Sequence, residues 1–146
     1  MTTVKSFSKH MIYQGVATNT TKMVAEEDID FSKNPCSATD VVEVMKIPAG
    51  AIVTYAGLIV RVAEGSACTC KLGDADDDDG WLAAGANLNA VGAKLPLGHT
   101  TGKYLADGGS YYDADGTIIL TLAHNASNAK VTVVAEYILP DKKYLS

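Results

Sequence analysis

Residues Val41 to Val62 read VVEVMKIPAGAIVTYAGLIVRV, and this stretch decides the fold. The first seven residues alternate. Val42, Val44 and Lys46 fall on one side of a strand; Val41, Glu43, Met45 and Ile47 fall on the other. Pro48 ends the run, because proline has no amide hydrogen to give to a ladder. Pro48-Ala49-Gly50 then reads as a turn. The returning run carries Ile52, Val53, Thr54, Ile59, Val60 and Val62, too many β-branched residues for a helix, and Gly57 suggests a bulge or a bend.

The same signals continue outward. Glu64-Gly65-Ser66 turns the chain into ACTCKLG, a further short strand. GTIILTLA follows an Asp115-Gly116 turn. In KVTVVAEYIL, Val131, Val133, Ala135 and Tyr137 oppose Thr132, Val134, Glu136 and Ile138. ADGG at 106–109 and NASN at 125–128 are turn signals. At least five short strands follow one another closely. The one segment long enough for a helical crossover, Leu82 to Ala93, is rich in Ala, Gly and Asn. The expected fold class is all-β: an antiparallel β-sandwich, with the jelly roll as one form of it. Residues 1–35 lack a sustained period and form either an extended N-terminal arm or edge strands. Residues 36–146 are the expected sandwich domain.

A chain of 146 residues fits one domain with a core of its own. It is 47% hydrophobic and 20% charged, a globular balance. The net charge of −5 argues against a general nucleic-acid partner, which needs a basic face. No apolar run is long enough to span a bilayer, and the N-terminus lacks a signal-peptide core, so synthesis in a cytosol is expected. Three cysteines, Cys36, Cys68 and Cys70, do not suggest a disulfide framework. Cys68 and Cys70 share a strand face; a metal site would need further ligands, and His10, His99 and His124 have no ligand spacing.

GDADDDDGWL, Gly73 to Leu82, is the chemically densest stretch. Asp74, Asp76 and Asp78 fill the first, third and fifth places of a calcium-loop pattern. Asp79 stands where that pattern requires glycine, and its last ligand position falls on Gly85. An irregular calcium site competes with a solvated strand-to-strand loop, in which Asp side chains cap turn amides and Gly73 and Gly80 adopt positive φ. Acid–base catalysis needs one carboxyl buried and another exposed, which an open acidic loop does not offer. No catalytic or cofactor-binding motif stands elsewhere, so neither an enzyme nor a cofactor is expected.

IDF (29–31), DVVEVMKIPAGAIV (40–53), VAEGSACTCKLGDADDDDGWLAAGANLNA (62–90), GKYLADGGSYYDADGTIILTL (102–122) and KVTVVAEYIL together resemble small virion structural proteins of tailed bacteriophages. The resemblance covers residues 29 to 139 and rests on turns and strands. It departs from the pattern in its denser acidic loop and in SACTC. It implies a capsid decoration (cement) protein or a head or tail fibre component, located in the virion and made in the bacterial host cytoplasm. The decoration reading implies a major capsid protein as partner and a homotrimer, with no nucleic acid or membrane contact. Candidate interface residues are Ile12, Tyr13, Val16, Met23, Trp81, Tyr111 and Tyr112. A receptor- or glycan-binding fibre domain is the alternative, with Tyr104, Tyr111 and Tyr112 stacking on sugars rather than packing across strands.

Overall fold

The computed structural model describes residues 22–95 and 102–139. In chain order the elements are β1 (Lys22–Asp30), β2 (Val41–Ile47), β3 (Ile52–Val62), β4 (Thr69–Gly73), β5 (Leu82–Asn87), β6 (Gly92–Lys94), α1 (Lys103–Ala106), β7 (Ser110–Tyr111), β8 (Gly116–Leu122) and β9 (Lys130–Ile138). One sheet has the order β1-β9-β3-β6, with β7 also on β3; the other has the order β2-β8-β4-β5. Every pairing is antiparallel.

The order has a simple origin. β4 pairs with β5, β3 with β6, β2 with β8 and β1 with β9, which is one long folded hairpin with its tip between β4 and β5. Rolling that hairpin brings β9 onto β3 and β8 onto β4. The result is a jelly roll of two four-stranded sheets, with β7 as an added short strand. The expected antiparallel sandwich is therefore present, in its jelly-roll form.

The core lies between the sheets and follows the alternation of the strands. Val131, Val133, Ala135 and Tyr137 of β9 are buried, as are Ile118, Leu120 and Leu122 of β8. β2 departs from strict alternation. Its register shifts between Glu43 and Met45, and this bulge lets consecutive Val44 and Met45 both turn inward, followed by Ile47. In β3 the shifts fall between Val53 and Tyr55 and between Val60 and Val62, while Gly57 pairs in register with Val134. The bulge expected at Gly57 thus lies on either side of it. The Leu82–Ala93 stretch forms β5 and the start of β6, not a crossover helix.

Residues 22–30 form an edge strand of the first sheet, and Phe31 after it is fully buried. Cys36, Cys68 and Cys70 are free thiols. Burial pushes the Cys70 thiol up to about 12, so it stays protonated and inert at neutral pH. Among the described residues no helix is long and apolar enough to cross a membrane.

Candidate functional site

The acidic loop joins β4 to β5 at one end of the sandwich, where the segment 102–116 closes over it. Asp74 organises this end. It is only 5% exposed, and its two carboxylate oxygens are fully engaged. Oδ1 accepts from the amides of Asp76 (3.0 Å) and Asp77 (3.1 Å) and from the Tyr104 hydroxyl (2.8 Å). Oδ2 accepts from the Tyr112 hydroxyl at 2.6 Å. Asp74 therefore caps its own turn, as expected of an aspartate there, and also ties the turn to two tyrosines far along the chain. Burial first, and then the hydrogen bond to Asp74, push both phenols up, so they remain donors throughout the ordinary pH range.

The glycines serve close packing rather than left-handed backbone. Neither Gly73 nor Gly80 has positive φ, contrary to the sequence expectation. A Cβ on Gly73 would run into the Asp77 carbonyl, and one on Gly80 into the Tyr104 ring. Gly116 gives the same clearance to the Tyr112 ring, and Gly102 to the backbone of Asp79 and Gly80. Trp81 is fully buried and packs against Tyr104, with ring centroids 5.4 Å apart and planes tilted by 60°.

The remaining aspartates sit further out. The structure does not bring Asp74, Asp76 and Asp78 together as a ligand set, because Asp74 is spent on the tyrosines and amides. The carboxylates that do gather are Asp77, Asp78 and Asp79, with oxygens within 4.8 Å of one another. Lys71 Nζ pairs with Asp78 Oδ2 at 2.8 Å and offsets part of the charge. The Asp79 carboxyl is pushed up, first by its hydrogen bond with Asp77, then by burial, then by the charges of Asp77 and Asp78.

A second buried carboxylate escaped the sequence reading. Glu64 is only 3% exposed and accepts from the amides of Ser127, Asn128 and Ala129 at 2.9–3.1 Å. Burial raises its carboxyl, but these three amides and the Ser127 hydroxyl outweigh it and leave the group below its usual value. The signal for it was faint: a glutamate opening an EGS turn, and an Asn-Ala-Ser-Asn turn 63 residues on.

Of the sequence-derived interface candidates, Ile12, Tyr13 and Val16 lie outside the described residues. Met23, Trp81 and Tyr112 are buried within the chain itself, and Tyr111 is 63% exposed. Tyr111 borders an open pocket of about 190 Å³ also lined by Asp76, Asp113 and Thr117. Tyr104 and Tyr112 turn their hydroxyls to Asp74; Tyr112 is buried and Tyr104 is half-buried against Gly80 and Trp81.

No protein-family model matches the sequence, and no curated protein matches it. Solved structures do. A chain of the cyanophage Pam1 capsid asymmetric unit is similar with TM-score 0.63 and 21% identity, over 83% of this chain and 86% of that one. A chain of the capsid of Ralstonia phage GP4 gives 0.62 and 18%, over 97% and 92%. A chain of the acidic stable capsid of Helicobacter pylori bacteriophage KHP30 gives 0.58 and 17%, over 82% and 89%. At these identities the likeness is one of fold, and it spans nearly the whole of each chain.

Proposed function

We propose that this chain is a virion structural protein of a tailed bacteriophage. More specifically, it is a decoration (cement) protein that binds the major capsid protein lattice and associates with copies of itself as a trimer. The observation that carries the reading is the match of this jelly roll, over most of its length, to chains found in three phage capsids. The likeness covers 82–97% of this chain and 86–92% of those chains. The site supports the reading too. Its buried carboxylates hold loops together: Asp74 anchors two tyrosines and Glu64 anchors three amides. Asp74 borders the open pocket beside Tyr111, but its oxygens are taken up by two tyrosine hydroxyls and two loop amides. The role is one of rigid shape and surface contact, repeated over a lattice so that weak contacts sum.

The test is compositional. Particles purified from the phage that encodes this chain are analysed by quantitative mass spectrometry. A decoration role predicts a copy number comparable with that of the shell protein. A few copies per particle, or recovery only with detached tails, would favour the fibre reading instead.

A further inference from the structure

The charge of the chain is unevenly placed. Residues 1–21 contain Lys5 and Lys9, no acidic residue, and the apolar side chains Phe7, Met11, Ile12 and Tyr13, although the chain as a whole carries −5. The opposite character is found on one flank of the sandwich. β1 and β2 are the outer strands of their sheets: among the described residues β1 pairs only with β9, and β2 only with β8. Between them runs an open groove of about 260 Å³, with Ile29 and Val42 among its apolar lining and Glu27 and Glu43 among its acids. Asp28 and Asp30, also in the lining, are already engaged by the Thr132 hydroxyl at 2.7 Å and by Lys130 at 3.7 Å. Among the described residues, Glu27 and Glu43 have no ion-pair partner.

We infer that this groove receives the N-terminal segment, residues 1–21, of a second copy of the chain. Lys5 and Lys9 meet Glu27 and Glu43, and an apolar side chain of the segment fills the space against Ile29 and Val42. The backbone edges of β1 and β2 that are unpaired among the described residues would take strand addition by the same segment. A segment of that length spans up to roughly 70 Å when extended, ample for a neighbouring copy. The inference deepens the self-association proposed above, but it is read without any capsid, so its failure leaves the lattice-binding reading standing.

The experiment is a charge swap on the full chain, read by sedimentation equilibrium at low and at high salt. The wild-type protein is expected at a multiple of the chain mass in low salt and to shift toward monomer as salt screens the pairs. Lys5→Glu/Lys9→Glu and Glu27→Lys/Glu43→Lys are each expected to lose association, with unchanged far-UV circular dichroism. Combining the two sets is expected to restore it. A wild-type protein that is monomeric at every concentration overturns the inference. So does association that survives both reversals, or a combined variant that stays monomeric.

Discussion

Asp74 and Glu64 both bury a carboxyl group, and each is held by donors from distant parts of the chain. Removing the Asp74 carboxylate strands two tyrosine hydroxyls and two loop amides, the Tyr112 hydroxyl among buried surroundings. Asp74→Ala is expected to cost about 3 kcal/mol or more, and Asp74→Asn, which keeps an acceptor, clearly less. Urea denaturation monitored by Trp81 fluorescence measures both. Glu64 makes a pH prediction. Its folded carboxyl lies below the ordinary value of 4.5, so the stabilisation is present above pH 4.5 and is lost as pH falls through the lower folded value. Stability of the wild type should fall with acid in that window. Glu64→Gln should be less stable at neutral pH and show a flatter acid limb; an identical acid limb would remove the assignment. In the sequence, Asp74 could not be told from its four neighbours, because only the distant tyrosines distinguish it. The one local hint was its place directly after the strand-ending Gly73.

The elements near the site are fixed by shape as much as by charge. The β4–β5 loop folds tightly enough that Gly73 faces the Asp77 carbonyl and Gly80 the Tyr104 ring. Gly73→Ala and Gly80→Ala should each destabilise by about 1–3 kcal/mol, since neither a backbone carbonyl nor a packed aromatic ring can give way freely. Thermal unfolding of the two variants checks this; wild-type midpoints for both would show that the loop is looser than described. The strands themselves were largely legible. β9 alternates cleanly, and the Pro48-Ala49-Gly50 turn separates β2 from β3. The bulges were not, because an inserted residue leaves composition unchanged and reveals itself only against a partner. Val44 and Met45 read as opposite faces and are both buried. The positive φ expected at Gly73 and Gly80 failed for a related reason: a glycine needed for clearance looks the same in sequence as one needed for backbone freedom.

At the scale of the molecule, alternation identified a sandwich but could not order it. Each strand shows which of its faces is apolar, not which strand lies beside it, and β1 pairs Lys22 with Ile138 across nearly the whole chain. The jelly-roll order follows from that nesting, and the order is what aligns the chain with three phage capsid structures. The decoration role proposed above would set this double sheet on a shell and use its charged loop end and its β1–β2 flank for contact. The most direct test is a cryo-electron microscopy map of the particle that carries the chain. The account predicts jelly-roll density with this chain's side chains on the outer surface of the head, in clusters repeated over the lattice. Density for the chain confined to the tail or its fibres, or no such density on the head, would contradict it.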